Sequence, residues 1–123
     1  MRRDLLLLWE MIDAAEQAQW LVEDRSVIDI EADRLRREAL LWNFTVLGEA
    51  AGLISEETRT RFGDVPWRNP TRLRNRVVHG YWSVDFGVLH TTATEQLGDF
   101  VSALRNVARA LEDEASGNDG EPN

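Results

Sequence analysis

The sequence contains no cysteine and no lysine, and it has only three prolines among 123 residues. Without cysteine the chain can form neither disulfides nor thiolate metal sites, and it has no thiol for catalysis. All 14 basic residues are arginines. Schiff-base chemistry, a Walker-type phosphate loop and a Ser–Lys catalytic pair are therefore excluded too, because each needs the lysine amine.

Long hydrophobic runs are also missing. After Met1-Arg2-Arg3-Asp4 the longest apolar run is four leucines, Leu5 to Leu8, followed by Trp9-Glu10. This is too short for the core of a secretory signal or for a membrane span. We therefore expect a cytoplasmic protein without a membrane partner.

Charge is distributed unevenly along the chain. The net charge of −8 argues against a protein that coats nucleic acids. Between Arg59 and His79, however, six arginines face one acid, Asp64, which gives this segment a balance of +5 and leaves −13 for the rest. An acidic body with one basic segment indicates a single site for an anionic ligand.

Helical periodicity dominates the rest of the sequence, and strand-like alternation is absent. Helices are predicted over about residues 3–23, 30–54, 56–62 and 70–80, with a turn at 24–26 and a loop at 81–84. Ser55 is expected to cap the third helix, Asn69 with Pro70 to start the fourth, and Ser83 or Asp85 to cap the last. Gly48 and Gly52, one turn apart, would allow a neighbouring helix to approach closely.

The last helix has the most regular apolar pattern in the chain. Its apolar residues follow steps of three and four: Phe86, Leu89, Ala93, Leu97, Phe100, Leu104, Val107 and Leu111. Such a stripe suits packing in a bundle. The expected architecture is all-α, a bundle of about five helices over residues 1–114, with a disordered tail over 115–123 and most of the five tryptophans in the core.

Metal sites find little support in the sequence. A di-iron bundle would need Glu-x-x-His pairs, but Arg76 and Gly87 stand three residues before the two histidines, His79 and His90. The zinc-protease pattern HExxH is also missing. We expect no bound metal and no cofactor, and we expect His90 to be a surface or packing residue.

The basic segment is the strongest candidate for a functional site. On a helix, Asn75 and His79 are i,i+4 neighbours, and Arg72 and Arg76 flank the same face. Guanidinium, amide and imidazole groups together suit an RNA phosphodiester, because arginine stabilises the phosphorane charge, histidine moves protons, and RNA supplies its own 2′-hydroxyl nucleophile. A solvated arginine face with a structural histidine is the alternative that the spacing leaves open. Trp67 and Trp82 bracket the segment and could stack on a base.

One angle does not fit a site within a single chain. Arg74 and His79 are five residues apart, about 140° around an ideal helix at 100° per residue. They can act together only if the helix ends early or if a second molecule completes the site, as in a symmetric dimer.

These residues resemble a known family. The segment from Arg74 to His79 matches the R-x4-6-H motif of the HEPN superfamily, with the polar Asn75 directly after the arginine. The chain is more closely similar to the HepT-like toxins, the ribonuclease half of a toxin–antitoxin pair. The further matches are Gly48-Glu49-Ala50, Trp67, Tyr81 in an R-x4-H-x-Y extension, and Val84-Asp85. The resemblance covers about residues 5–111.

The resemblance implies a helical homodimer whose paired motifs form a composite cleft. It implies a metal-independent endoribonuclease that leaves a 2′,3′-cyclic phosphate or its hydrolysis product, with Arg74 and His79 as the catalytic pair and Asn75 supporting. It also implies a nucleotidyltransferase antitoxin as partner; whether the dimer assembles further around this partner is left open by the sequence. That antitoxin can transfer AMP to Tyr81, and the added negative charge would repel RNA.

A second hypothesis belongs to a different class. The chain could be a non-catalytic interaction module whose arginine cluster, including Arg72 and Arg76, docks an acidic or nucleotide-loaded partner and regulates a nucleotidyltransferase. Toxicity of the chain when it is expressed alone separates the two hypotheses.

Overall fold

The computed structural model describes residues 2–120, and every side chain in that range except those of residues 2, 81 and 118–120. Within this range the chain is all-α and contains no strand. The α-helices are α1 (Arg2–Val22), α2 (Val27–Ala32), α3 (Arg34–Leu53), α4 (Glu56–Arg61), α5 (Arg68–His79), α6 (Phe86–Thr91) and α7 (Leu97–Gly120). The predicted all-α class is confirmed, with seven α-helices over the described residues where about five were expected.

Packing is organised around α1 and α3. Helix α1 packs against α3 and α7, and α3 packs against α5 on its other side. The apolar faces of these helices form one buried cluster, whose largest members with essentially no exposure include Phe44, Leu8, Met11, Leu40 and Leu104. Helix α3 is the main packing partner of α5, and most of the polar side chains of α5 are exposed, so they can contribute to a site.

The last predicted helix is a continuous rod in three parts. Helices α6 and α7 are joined by a π-helical segment, Thr92–Gln96. This segment lies where the predicted stripe takes two consecutive steps of four, from Leu89 to Ala93 to Leu97, which would rotate the stripe by about 80° on an ideal α-helix. A π-helical turn contains more residues than an α-helical turn, so this segment compensates for the rotation. The side chains of Leu89, Ala93 and Leu97 are therefore all buried.

The second predicted helix, over 30–54, is in fact two helices. Asp33 interrupts it with an extended backbone (φ −105°, ψ 99°), and its carboxylate accepts a hydrogen bond from the Arg36 amide at the start of α3. Helix α2 has its own capping box, in which Ser26 and Asp29 exchange side-chain to backbone hydrogen bonds. The predicted turn before it is present, with Asp24 at φ 57°.

A buried carboxylate joins the start of the chain to α4. Asp4 on α1 is 2% exposed and accepts hydrogen bonds from the Ser55 amide (3.0 Å), the Ser55 hydroxyl (2.5 Å) and the Thr58 hydroxyl (2.6 Å). The Ser55 hydroxyl also caps α4, as predicted, by accepting from the Thr58 amide. Burial alone would raise the pKa of Asp4, but the hydrogen bonds from Ser55 and Thr58 hold it below its usual value.

Two further contacts fix the short elements. Arg61 at the end of α4 makes a two-pronged ion pair with Glu114 on α7, and these hydrogen bonds raise the pKa of Arg61 and lower that of Glu114. Asp85 caps α6 by accepting from the amides of Gly87 and Val88, one of the two predicted caps.

Other predicted boundaries differ from the structure. Helix α5 begins at Arg68 rather than Pro70, with Trp67 at the N-cap and no side-chain cap. The predicted loop 81–84 contains a 3-10 turn, Tyr81–Ser83. Helix α7 runs to Gly120, through the first six residues of the segment 115–123, and residues 121–123 lie outside the described part. The division of the chain at residue 114 stays a prediction.

The expectation of a tryptophan-rich core is wrong. Only Trp67 is buried, at 5% exposure, whereas Trp9, Trp20, Trp42 and Trp82 are 41 to 95% exposed. The exposed ones on α1 and α3 lie on the outer sides of these helices, and Trp20 is partly covered by the Arg36 guanidinium at 5.3 Å. The Trp67 indole donates to the Phe62 carbonyl, so this side chain is a packing residue rather than a free stacking platform.

Candidate active site

Helices α3 and α5 approach each other closely at the two predicted glycines. A Cβ on Gly48 would lie 2.1 Å from the Arg74 Cβ and 2.5 Å from the Pro70 carbonyl oxygen. Thr71 on α5 donates a hydrogen bond to the Gly48 carbonyl at 2.9 Å. The absence of a side chain at Gly48 therefore allows the stem of Arg74 to lie directly against α3.

Arg74 is held in place by two acceptors. Its Nη2 donates to Glu49 Oε1 at 2.7 Å, and its Nη1 donates to Asn75 Oδ1 at 3.1 Å. Its Nε is buried and has no hydrogen-bond partner among the described residues. The side chain is 26% exposed and that of Glu49 is 58% exposed, so the guanidinium lies at the edge of the α3–α5 seam with part of its surface open to solvent.

His79 lies on a different side of α5. It is the last residue of the helix and is exposed, and the chain turns directly after it, where the Gly80 amide donates to the Arg76 carbonyl. His79 borders a cavity of about 310 Å³ together with Arg76, Ser83 and Asp85. An exposed imidazole beside an arginine can exchange protons with a ligand that enters this cavity.

The structure thus divides the predicted site residues into two groups. Arg72, Asn75, Arg76 and His79 are all exposed, as expected for one helix face, whereas Arg74 turns toward α3. No hydrogen bond joins Arg74 to His79 among the described side chains, and Asn75 contacts Arg74 rather than His79. This arrangement agrees with the predicted separation of about 140°.

Several site residues were not singled out by the sequence. Glu49 had a signal, because it is the centre of the Gly-Glu-Ala match, but its ion pair with Arg74 spans 25 positions and follows only from the packing of two helices. Arg59 and Arg68 had a weaker signal as members of the basic segment. Both line a cavity of about 560 Å³ at the N-terminal end of α5, together with Arg72.

The remaining histidine is structural. His90 Nε2 is 2.6 Å from the Arg25 carbonyl oxygen, a contact that ties α6 to the turn after α1. Of the two expected roles, surface or packing, this contact gives His90 the packing role. Tyr81 begins the 3-10 turn two residues after His79, and its side chain lies outside the described residues.

Among the side chains that the structure describes, no group of three or more His, Asp or Glu is arranged to hold a metal ion. Over the same residues no helix is long and apolar enough to cross a bilayer.

The fold and the site together define a class: a helical bundle that presents arginine, asparagine and histidine side chains around one surface helix, suited to a phosphate-containing ligand. Comparison with known families makes this specific. The family model "Ribonuclease HepT-like" matches residues 11–107, and the chain belongs to this family.

Individual relatives are distant. The chain is 25% identical over 97 residues to "Putative RNase MJ1380" of Methanocaldococcus jannaschii, covering 78% of this chain and 89% of that protein. It is 26% identical over 90 residues to "Probable ribonuclease HepT" of Thermococcus cleftensis, covering 73% and 82%. "Putative RNase MJ0127" of M. jannaschii is 18% identical over 107 residues, covering 87% and 88%. No solved structure gives a significant match.

Proposed function

We propose that this protein is the toxin of a toxin–antitoxin pair and acts as a metal-independent endoribonuclease in the cytoplasm. The observation that carries the proposal is the position of His79. It is an exposed imidazole at the end of α5, on the same face as Arg72 and Arg76. Arg74 lies on the side of α5 that faces α3, where it is held by Glu49. Membership of a ribonuclease family supports RNA as the ligand.

In the proposed reaction the 2′-oxygen of a ribose attacks the adjacent phosphorus. The P–O2′ bond forms, the P–O5′ bond breaks, the 2′-hydroxyl gives up its proton and the 5′-oxygen gains one. His79 transfers protons in this step, and Arg74 stabilises the charge on the phosphorane with Asn75 holding the guanidinium. Arg72 and Arg76 bind the neighbouring backbone. The products are a 2′,3′-cyclic phosphate and a 5′-hydroxyl end.

The proposed active unit is a homodimer with a composite cleft. Two observations support it: Arg74 and His79 lie on different sides of one helix, and exposed apolar side chains lie beside them. Trp42 on α3 and Val78 on α5 are 66% and 44% exposed and border a common cavity of about 350 Å³. Val78 lies one helical turn from Arg74 and next to His79, so a partner packed there would bring its own His79 toward Arg74.

The proposed partner is a nucleotidyltransferase antitoxin that neutralises the toxin by transferring AMP to Tyr81. Tyr81 is two residues from His79, and a phosphate group added there would repel the RNA backbone. The dimer would then bind this partner in a larger complex.

The test is cleavage of total RNA by the purified protein in excess EDTA, with His79→Ala and Arg74→Ala beside the wild type. We expect the wild type to cut and both variants to be at least about a hundredfold slower. Arg105→Ala is the matched control, because Arg105 on α7 also pairs with a glutamate, Glu16 on α1 at 2.9 Å, and does not line the cavities beside α5. Full activity of either site variant would overturn the catalytic assignment.

A parallel experiment addresses the biological role. Expression of the chain alone should arrest growth, and co-expression of a nucleotidyltransferase antitoxin should relieve the arrest and add AMP to the Tyr81 peptide, detected by mass spectrometry. Binding to such a partner without RNA cleavage and without growth arrest would favour the non-catalytic interaction module.

A further inference from the structure

Three cavities follow one another along α5, where it faces α4, the π-helical segment and the turn before α6, and Phe44 and Leu47 of α3 also line the middle one. Their volumes are about 560, 270 and 310 Å³ from the N-terminal to the C-terminal end of the helix. The first two share the wall residues Pro66, Asn69 and Arg72. The second and third share Leu73 and Arg76, and the third reaches His79. Together they form one groove that runs from the start of α5 to the candidate catalytic histidine.

Arginines line this groove at regular intervals. Arg68, Arg72 and Arg76 are spaced by four residues and His79 follows after three more, so that all four lie on one helical stripe at steps of roughly 6 Å or slightly less. Arg59 from α4 adds a fourth guanidinium at the first cavity. The groove therefore presents a row of arginine guanidinium groups that leads to His79.

These four arginines lack a carboxylate partner, whereas five of the nine other arginines with described side chains have one. Arg34, Arg36, Arg61, Arg74 and Arg105 each form an ion pair with a carboxylate. Among the described side chains, Arg59, Arg68, Arg72 and Arg76 form none. In a chain of net charge −8, leaving the arginines of one groove unpaired favours an external anion as their partner.

The first cavity has two further features that favour an anion. The Nε of Arg59 is buried without a hydrogen-bond partner among the described residues. Helix α5 starts there with no side-chain cap and no acidic residue in its first turn, so its positive end is open. One carboxylate, Glu56, also lines the cavity. Trp67 forms a buried wall, fixed by its hydrogen bond to Phe62.

We propose that this arginine groove binds the backbone of single-stranded RNA on one side of the scissile phosphate, with a backbone phosphate in the first cavity between Arg59 and Arg68. The identification of the anion as RNA rests on the proposed function. Arg68 and His79 are eleven positions apart on α5, roughly 17 Å along the helix. This distance corresponds to about five stacked nucleotides at about 3.4 Å each, and to fewer in an extended strand.

The groove thus makes cleavage depend on the length of RNA beside the cut. A long RNA reaches the first cavity and gains its contacts, whereas a dinucleotide around the scissile bond does not. Arg59 and Arg68 should therefore matter for long substrates only, and they touch no reacting atom.

Binding is measured by fluorescence anisotropy of a labelled single-stranded RNA of about 12 nucleotides, on a His79→Ala background that prevents cleavage. Arg59→Gln and Arg68→Gln should each weaken binding about three- to tenfold near 0.1 M salt and reduce the slope of log K against log salt by about 0.7. Arg105→Gln, on α7 and outside the groove, should leave both quantities unchanged. Circular dichroism verifies folding, and if Arg59→Gln is unfolded, the exposed Arg68→Gln decides.

Cleavage gives the second readout, with wild-type His79 restored. Both variants should slow the cutting of the 12-nucleotide RNA below saturation and leave the cutting of a dinucleotide unchanged. Wild-type affinity and salt slope in Arg68→Gln would overturn the groove even if the protein cuts RNA. Another outcome is that the wild-type protein cuts no RNA while both variants weaken RNA binding. That result would support the groove as an RNA-binding site and reject the nuclease proposal.

Discussion

Glu49 Oε1 lies 2.7 Å from Arg74 Nη2 and joins the C-terminal part of α3 to the candidate catalytic arginine on α5. Glu49 is the more exposed of the two side chains, so the pair is a surface ion pair whose net stabilisation is small. Its importance is geometric. With Asn75 on Nη1 and the Gly48 backbone beneath the Arg74 stem, Glu49 restricts the guanidinium to one position at the edge of the seam.

Removal of Glu49 should therefore impair cleavage more than folding. In Glu49→Ala the guanidinium loses its main acceptor, and we expect the rate at saturating RNA to fall about ten- to a hundredfold, since misplacement by about 1 Å has effects of this size. Glu49→Gln keeps an acceptor and removes a negative charge, so it should retain most of the rate and bind RNA more tightly. Single-turnover cleavage separates rate from binding. Glu16→Ala, which breaks the pair with Arg105, is the control; equal effects at both positions would contradict a positioning role.

The two glycines of α3 should differ in their tolerance of a side chain. Gly48→Ala places a Cβ 2.1 Å from the Arg74 Cβ, and overpacking of this kind costs about 1–3 kcal/mol in the free energy of unfolding. At Gly52 the nearest atom to an added Cβ is the Thr71 hydroxyl at 3.4 Å, so the gain in helix propensity, at most about 1 kcal/mol, largely offsets the contact.

Urea denaturation of both glycine variants tests this difference. Gly48→Ala should also lower cleavage, because α5 must shift to relieve the clash and Arg74 shifts with it. Equal stability of the two variants would show that the seam is looser than the distances indicate.

The parts of the fold that follow from local periodicity could be predicted. The apolar stripe from Leu89 to Leu111 is buried as its spacing indicates, because an amphipathic helix at the surface of a bundle buries its apolar face. The break at Asp33 could not be found in this way, since apolar residues continue on both sides of it. The break arises because Asp33 has an extended backbone and its side chain caps α3. Residue types that form such caps also occur inside helices, so the sequence alone does not mark the break.

Only part of the candidate site could be predicted from the sequence. Residues on α5 could be placed on faces by counting, and their separation around the helix is observed. Partners from other elements could not be counted: Glu49 reaches Arg74 from α3, and Arg59 joins the groove from α4. Both depend on the packing of the bundle, including the anchoring of α4 by Asp4.

The Asp4 carboxylate should make stability depend on acid. Its pKa in the fold lies below its ordinary value of 3.8 because hydrogen bonds from Ser55 and Thr58 outweigh its burial. A group of this kind stabilises the fold above its unfolded-state pKa, and the contribution is lost as the pH falls through the lower folded-state pKa. Asp4→Asn should therefore cost about 2 kcal/mol of unfolding free energy at neutral pH.

The difference in the free energy of unfolding between Asp4→Asn and the wild type should become smaller as the pH falls below about 3.8. Urea denaturation at about pH 7 and about pH 3 measures it. Asp13→Asn, an exposed position on the same helix, should have little effect at either pH. A cost of Asp4→Asn that stays constant with pH would mean that it comes from packing rather than from the charge.

Exposed apolar side chains beside the site should mediate the proposed dimer. Trp42→Glu places a charge in the apolar surface next to Val78 and should shift the protein to monomers, with loss of cleavage, because an unpaired charge is costly to bury. Trp20→Glu is the matched control, since Trp20 is similarly exposed, at 59%, but stacks against Arg36. Analytical ultracentrifugation measures the change; a Trp42→Glu protein that stays dimeric would place the interface elsewhere.

Mixed dimers test whether Arg74 of one chain acts with His79 of the other. Homodimers of Arg74→Ala and of His79→Ala each lack one member of every pair and should be inactive. A dimer with one chain of each kind would keep one intact pair across the interface, because the first chain supplies His79 and the second supplies Arg74. Two differently tagged chains, co-expressed and purified through both tags, should therefore recover about half of the wild-type rate, since a symmetric dimer has two sites. If both residues of a site come from one chain, the mixed dimer contains no intact pair and stays inactive.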